Sequence, residues 1–235
     1  MPAATAAFLI IGDEILSGRT AEKNLQCLAK LLGERGLRFV ESRIVGDDAP
    51  LIIDALNALR GGYDYVITSG GIGPTHDDIT TDAVSAAFGL DTEENAALLA
   101  RLSKSCQTRG VPLSNARRRM ARAPVGAKMV DGDFDSPPGY RINNVFVCAG
   151  VPAIFEMMAQ AAVLQMPRAA AIVSCGFHVC APESSYADIL AEVQKQHPHI
   201  RIGSYPHSNN NCAIVFSGSD KSQITAASID AKAKL

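Results

Sequence analysis

The sequence lacks the features of membrane, secreted and nucleic-acid-binding proteins. No apolar run is long enough for a membrane helix, and the first residues, MPAATAAFLIIGDEIL, carry no positive flank before their short apolar stretch. The formal charge of -2 gives no general attraction to nucleic acid or to an anionic membrane. We therefore expect a cytoplasmic protein that binds neither nucleic acid nor membrane.

Several common site signatures are also missing. The six cysteines have no Cys-x-x-Cys spacing, so neither a zinc site nor a disulfide framework is indicated. No Gly-Lys-Ser/Thr follows the glycine-rich segment, and His76 occupies the place of the last glycine of a dinucleotide fingerprint. No Gly-x-Ser-x-Gly sequence is present. These absences argue against a P-loop kinase, an ordinary dehydrogenase and a serine hydrolase.

The most informative segment that is present is GGIGPTHDD, from Gly70 to Asp78, which we call the glycine corner. It lies between a predicted buried strand at residues 63–68 and a predicted helix at residues 80–88. Its three glycines accept positive φ values and let a ligand approach the backbone, and free amides at the start of the helix attract anions. The glycine corner therefore predicts a phosphate site.

Two adjacent carboxylates end the glycine corner. Asp77 and Asp78 would repel a phosphate unless a hard divalent cation such as Mg²⁺ lay between them. The alternative is a tight turn whose aspartates cap the following helix. His76 is either a proton donor or metal ligand, or an exposed loop residue. We predict that the glycine corner binds a pyrophosphate together with a metal.

Strand-like and helix-like runs alternate over residues 1–167, which predicts a mostly parallel sheet covered by helices on both faces. Residues 93–109 and 114–123 have helical spacing. After Pro167 the pattern restarts as β-α-β-β-α. We therefore predict an α/β main domain at 1–167 and a small C-terminal α+β domain at 168–235.

The loops that follow predicted parallel strands supply further candidate residues, because open sheets bind ligands beyond these strand ends. Gly12, Asp13 and Glu14 follow the first strand and either face a ligand or cap a helix. Gly46, Asp47 and Asp48 follow the second strand and favour a turn and a helix cap. Pocket walls are indicated at Pro138 and Gly139 and at Gly150 to Pro152, although such loops are commonly turns.

A run of arginines forms a basic helical patch that either attracts phosphates or is a solvated helix face. Its members are Arg117, Arg118, Arg119 and Arg122.

The motifs together resemble the competence/damage-inducible protein A (CinA) family, of the MoaB/MogA-like molybdopterin-binding type. The resemblance rests on GDEILSG with Asn24, VGDD, TSGGIGPTHDDIT, Pro138 with Gly139, and the GVP that begins at Gly150. It covers residues 5–165, and SYP at 204–206 resembles the small domain that follows in that family. The resemblance implies a three-layer α/β/α sandwich, a pocket for a nucleotide or pterin phosphate, and a homo-oligomer, either dimer or trimer.

The resemblance also implies an activity. CinA-like members are associated with metal-dependent cleavage of the pyrophosphate in ADP-ribose. The alternatives are molybdopterin adenylyl transfer, in which the supporting aspartate falls on Asp78, and a non-catalytic molybdopterin-binding protein. The sequence departs from the family at Ala149, at Ile154, where the family has a glutamate, and at Met120. The chain stops at Leu235, so we expect no nicotinamide-nucleotide deamidase domain.

The resulting site prediction has two parts. Asp77 and Asp78 are the predicted catalytic and metal-binding residues, with Mg²⁺ or another divalent cation as cofactor and molybdopterin as an alternative ligand. The predicted substrate- or phosphate-binding residues are Gly12, Asp13, Glu14, Ser69, Gly70, Gly71, Gly73, Thr75, Pro138, Gly139, Gly150 and Pro152.

Overall fold

The computed structural model describes residues 3–130, 132, 139–207 and 211–235. The chain divides into two compact units, one formed by Met1–Leu32 and Leu37–Pro167, the other by Gly33–Gly36 and Arg168–Leu235. The predicted site residue Pro138 lies outside the described residues. Within the described part of the chain, no helix combines the length and the apolar character needed to cross a membrane.

The first unit is built on a six-stranded sheet. Its strands are β1 (Thr5–Ile11), β2 (Arg38–Val45), β3 (Tyr65–Ser69), β6 (Lys128–Val130), β7 (Gly139–Ile142) and β8 (Val145–Cys148), while β4 (Thr92–Glu94) and β5 (Arg122–Pro124) form a separate antiparallel pair. The strand order is β2-β1-β3-β8-β7-β6. The first four strands are parallel, β7 is antiparallel to β8, and β6 is antiparallel to β7. The predicted, mostly parallel sheet is confirmed.

Helices cover both faces of this sheet. They are α1 (Asp13–Leu16), α2 (Asn24–Arg35), α3 (Ala49–Gly62), α4 (Thr80–Phe88), α5 (Ala96–Thr108), α6 (Asn115–Arg118) and α7 (Pro152–Leu164). Alternate β1 residues point to opposite faces. Ala7 and Leu9 belong to a core with α3, α4 and α5, whereas Ala6 and Phe8 belong to a core with α2 and α7. Both cores are apolar, which confirms the three-layer sandwich.

The second unit contains β9 (Val173–Cys180), α8 (Ala187–Gln196), β10 (Arg201–Pro206), β11 (Asn211–Gly218) and α9 (Lys221–Lys234). Its three strands form an antiparallel sheet in the order β10-β11-β9. Alternate β11 residues, Cys212, Ile214 and Phe216, are buried in a core with residues of both helices. This arrangement confirms the small α+β domain.

The parallel register places four loops at one edge of the first sheet. Strands β1, β2, β3 and β8 all end there, because parallel neighbours share their direction. The loops begin at Gly12, Gly46, Gly70 and Ala149. Residues far apart in sequence thus meet at the edge where open parallel sheets bind ligands.

A carboxylate at the opposite edge makes stability depend on pH. The Thr5 amide and the Thr5 hydroxyl both donate to Asp64 Oδ2 at 2.7 Å, and these bonds lower the pKa of Asp64. A carboxyl group whose folded pKa is depressed stabilises the fold above its unfolded pKa, and this contribution is lost as pH falls through the folded pKa. We expect Asp64→Asn to lower the free energy of unfolding at pH 7, with the deficit shrinking below pH ~4. Urea unfolding at stepped pH measures this.

The control for this experiment is Asp54→Asn, which changes an exposed aspartate on α3. It should leave the free energy of unfolding unchanged at both ends of the pH range. A deficit of Asp64→Asn that is the same at pH 7 and pH 2 would contradict the assignment.

Candidate functional site

The backbone of the glycine corner requires glycine at its first two positions. Gly70 has φ 105° and Gly71 has φ 67°, both in the region that side chains rarely adopt. A Cβ at Gly70 would collide with the backbone carbonyl oxygen of Ile11, and one at Gly71 would collide with the hydroxyl of Thr80. The chain therefore leaves β3, passes directly against the end of β1 and enters α4 through a turn that tolerates no side chain.

This turn leaves a run of backbone donors unused. Within the described residues, the amides of Gly71, Ile72 and Gly73 have no hydrogen-bond partner, whereas Gly70 donates its amide to the Cys148 carbonyl at 3.2 Å. All three residues with unused amides are half-buried. Consecutive free N–H groups in such a concave turn form a site of positive potential for an anion.

The two aspartates of the corner have different surroundings. Asp78 Oδ2 accepts the Thr75 amide at 2.8 Å and also the Thr75 hydroxyl, which closes the loop. The Asp77 side chain is 68% exposed and lies 3.9 Å from the His76 ring, which is itself 96% exposed. Asp78 lines the cavity described next, whereas Asp77 and His76 are not among its lining residues. The use of Asp77 and Asp78 as a metal pair remains a prediction.

A cavity of about 300 Å³ lies between the glycine corner and the loop after β8. Its volume is at the lower end of the range for small-molecule sites. The lining residues are Glu14, Gly70, Gly71, Ile72, Gly73, Pro74, Asp78, Met120, Ala149, Gly150, Val151, Ile154 and Met158. Six predicted site residues are brought together in it, namely Glu14, Gly70, Gly71, Gly73, Asp78 and Gly150.

Other predicted residues lie near this edge of the sheet without lining the cavity. Gly12 donates its amide to the Val45 carbonyl at 3.0 Å, and Pro152 is the first residue of α7. Gly139 lies within β7, where a Cβ would collide with the Val147 carbonyl oxygen. Strand packing thus explains why residue 139 is a glycine, while its role in ligand binding stays a prediction.

Asp47 lies with the other acidic residues at this edge of the sheet. The sequence had indicated only a turn and a helix cap at this position. The Asp13 amide donates to Asp47 Oδ2 at 2.9 Å, and the Asp47 amide donates to Asp13 Oδ1 at 3.3 Å. Burial raises the pKa of Asp47, and the carboxylates of Asp13, Glu14 and Asp77 raise it further. The neighbouring Asp48 is the helix cap that the sequence indicated, since it accepts the Leu51 amide.

Among the described residues, the acidic side chains at this edge do not form a complete, preformed metal site. In the described ranges, no group of three or more His, Cys, Asp and Glu side chains could hold a metal ion. Mg²⁺ usually keeps several waters and takes only one or two protein carboxylates together with substrate phosphates. Asp78 and Glu14 in the cavity wall fit that mode of binding, in which the cation arrives with a phosphate ligand.

Asn24 connects the two loops that form the cavity. Its side-chain amide donates to Ser69 Oγ and to the Gly150 carbonyl, both at 2.8 Å, and the residue is only 6% exposed. Ser69 directly precedes the glycine corner, and Gly150 lines the cavity. The position of the predicted site residue Ser69 is thus explained by this bridge. Asn24 was recognisable from the sequence only as part of a family motif.

We expect Asn24→Ala to lower the free energy of unfolding by about 1 to 3 kcal/mol, because the change leaves buried polar groups without partners. It should also weaken ligand binding at the cavity, since the two loops lose their shared donor. Urea unfolding and ligand titration measure the two effects. The matched control is Asn57→Ala on the exposed face of α3. Equal stability of the two variants would contradict a bridging role for Asn24.

One wall of the cavity is apolar. It contains Ile72, Met120, Ile154 and Met158 together with Ala149 and Val151. Ile154, Met120 and Ala149 are the positions at which the sequence departs from the CinA pattern. The wall therefore offers an apolar surface in the same cavity as the unused amides.

Comparison with known proteins identifies the first unit. Residues 7–169 match the family described as a probable molybdopterin binding domain. The chain belongs to this molybdopterin-binding domain family. Residues 171–235 match the middle domain of FAD synthase. The two matches cover the main domain and the small domain separately.

Individual relatives agree with the family assignment. A CinA-like protein of Myxococcus xanthus is 30% identical over 93% of this chain and 55% of its own length. A probable FAD synthase of Caenorhabditis elegans is 29% identical over 88% of this chain and 44% of its own length. The crystal structure of CinA from Thermoplasma acidophilum, a protein of unknown function, covers 68% of this chain and 95% of its own with TM-score 0.60 and 28% identity. This chain spans about half of the two longer relatives.

Proposed function

We propose that this member of the molybdopterin-binding domain family hydrolyses the pyrophosphate bond of a nucleotide diphosphate such as ADP-ribose in a metal-dependent reaction. One observation carries the proposal. Three consecutive amides without a partner among the described residues, at Gly71, Ile72 and Gly73, belong to residues that line the same cavity as Asp78 and Glu14. Carboxylates would repel a phosphate bound at these amides. A divalent cation that binds together with the phosphate removes this repulsion.

The residues have separate roles in this proposal. The corner amides bind non-bridging phosphate oxygens, and Thr75 holds Asp78 in place through its amide and hydroxyl. Asp78 and Glu14, with Asp13 beside them, provide negative charge for a divalent cation. Mg²⁺ or a similar cation, when bound, neutralises charge on the phosphates and lowers the pKa of a bound water.

The reaction follows from these roles. A water oxygen forms a bond to one phosphorus, and the bond from that phosphorus to the bridging oxygen breaks. The water loses a proton to a nearby carboxylate, and the bridging oxygen leaves with the second phosphate. ADP-ribose then yields AMP and ribose phosphate. The amides stabilise the charge that develops on the non-bridging oxygens.

A second candidate function is binding of a pterin phosphate, with or without adenylyl transfer. It is favoured by the apolar wall, in particular by Ile154, where CinA-like sequences carry a glutamate. If that glutamate assists hydrolysis, its replacement by isoleucine favours binding over turnover.

AMP release by purified protein separates the two candidates. The assay uses ADP-ribose with Mg²⁺ or Co²⁺, and a matched reaction with excess chelator. We expect AMP release with metal and none with chelator. Folded protein that releases no AMP with either metal but binds molybdopterin would support the second candidate and overturn the first.

A further inference from the structure

A second, shallow and open cavity of about 280 Å³ lies at the surface of the first unit and shares no wall with the glycine corner. We call it the arginine cavity, and its lining residues are Glu94, Asn115, Arg118, Arg119 and Arg122. It shares no lining residue with the cavity at the glycine corner. Three arginines and Glu94 line this space, and Asp82 pairs with Arg122. Three cationic and two anionic side chains leave the arginine cavity with a net positive charge, in a chain whose formal charge is -2.

Two of the guanidinium groups are held in place by carboxylates. Arg118 donates from Nε and Nη2 to Glu94 at 2.9 and 2.6 Å. Arg122 donates from Nη1 and Nη2 to Asp82 at 3.2 and 2.5 Å. Both contacts are two-pronged, the geometry in which a guanidinium pairs most strongly with a carboxylate. These pairs limit the movement of two cationic groups before any ligand arrives.

The third guanidinium group, that of Arg119, has no partner among the described residues. Among the described contacts, Arg119 makes neither a hydrogen bond nor an ion pair, and its side chain is exposed beside Arg118 and Arg122. The Asn115 side chain likewise has no described partner. A guanidinium has a planar fork of donors that matches two oxygens of a phosphate. The unpaired fork of Arg119, beside two arginines that are already paired with carboxylates, can offer a phosphate one bidentate contact.

We propose that the arginine cavity is a second anion site that binds a phosphate-bearing ligand, with Arg119 as its direct bidentate donor. Arg118 and Arg122 supply charge from fixed positions, and Asn115 supplies an uncharged donor. Glu94 and Asp82 keep the site from being so basic that it attracts any anion. Anion binding at this site does not require the proposed hydrolysis.

The chain connects the arginine cavity to the glycine-corner cavity. Arg119 begins a short 3-10 helix, Arg119–Ala121, whose second residue, Met120, lines the glycine-corner cavity. Arg122 pairs with Asp82 in the first turn of α4, directly after the glycine corner. The ligand at the arginine cavity is therefore either a part of the molecule that is bound at the glycine corner or a separate phosphate anion.

Titration of ¹⁵N-labelled protein with inorganic pyrophosphate, followed by NMR without metal, tests the site. We expect saturable shifts at the amides of Glu94, Asn115 and Arg119, resolved from any at Ile72 and Gly73. Arg119→Ala should weaken pyrophosphate binding at the arginine cavity at least about tenfold. Arg38→Ala, which removes an exposed arginine on β2, should leave it unchanged.

Two results would overturn the proposal. One is the absence of saturable shifts in the arginine cavity, and the other is equal pyrophosphate affinity of wild type and Arg119→Ala; either would make these arginines an ordinary solvated surface. Repeating the titration with saturating ADP-ribose identifies the source. Competition at the Arg119 amide indicates that ADP-ribose itself reaches the arginine cavity, and simultaneous binding indicates a separate anion. The amides of Ile72 and Gly73 report on the glycine corner independently, so failure of one site does not imply failure of the other.

Discussion

Replacing Asp78 with asparagine is expected to reduce metal-dependent AMP release from ADP-ribose about 100-fold or more, because the variant loses the charge that holds a cation beside the substrate phosphates. The fold should survive, since an asparagine oxygen can still accept the Thr75 amide that now donates to Asp78 Oδ2 at 2.8 Å. The measurement is the initial rate of AMP formation over a range of Mg²⁺ concentrations. A loss that higher Mg²⁺ partly restores would locate the defect in cation binding.

Two further variants make the Asp78 experiment specific. Asp54→Asn removes an equal charge from the exposed face of α3 and should retain the wild-type rate. Asp77→Asn tests the adjacent carboxylate, whose side chain is 68% exposed and does not line the cavity. A loss as large as that of Asp78→Asn would support a shared metal pair. Wild-type turnover by Asp78→Asn would remove Asp78 from the mechanism.

The parts of the fold that sequence alone predicted are those specified by local pattern. The helix at Thr80–Phe88 has the predicted bounds, and the strand predicted at residues 63–68 is observed at Tyr65–Ser69. Both are short segments with a clear apolar period and a glycine or polar residue at their ends. The glycine corner was recognisable for the same reason, because its glycines and aspartates are adjacent in the chain.

The parts that sequence missed depend on partners distant in the chain. Residues 114–123 have helical spacing, but the helix stops at Arg118 and a 3-10 helix leads into β5. Strand β5 forms because Thr92–Glu94 lies opposite it. The local sequence pattern does not predict this strand pairing, because the partner strand is some thirty residues away.

The same limit applies to the site. Asn24 is 126 residues from Gly150, and its role is visible only when the ends of β3 and β8 are adjacent. Asp47 was interpreted as part of a turn because its sequence, like that of Asp48, fits a helix cap. Only Asp48 forms the cap, while Asp47 exchanges hydrogen bonds with Asp13. Sequence thus predicts which residue types lie at the strand ends, whereas only the fold shows which of these residues are in contact.

The largest stability effect is expected at Gly70. Gly70→Ala should lower the free energy of unfolding by about 3 kcal/mol or more, since it combines a strained backbone with an overpacked contact. The residue has φ 105°, and its Cβ would collide with the carbonyl oxygen of Ile11 in the central strand β1, which cannot move as a flexible side chain can. Urea unfolding followed by circular dichroism measures the change.

Gly61→Ala separates this effect from a general cost of adding a methyl group. Gly61 lies in the last turn of α3, where a Cβ would meet no atom within 4 Å, so alanine should leave stability unchanged or raise it slightly. Because Gly70 also lines the cavity, its alanine variant should bind ADP-ribose more weakly than wild type even at temperatures where it remains folded. Unchanged stability of Gly70→Ala would mean that β1 and the glycine corner are not in the close contact on which the anion site depends.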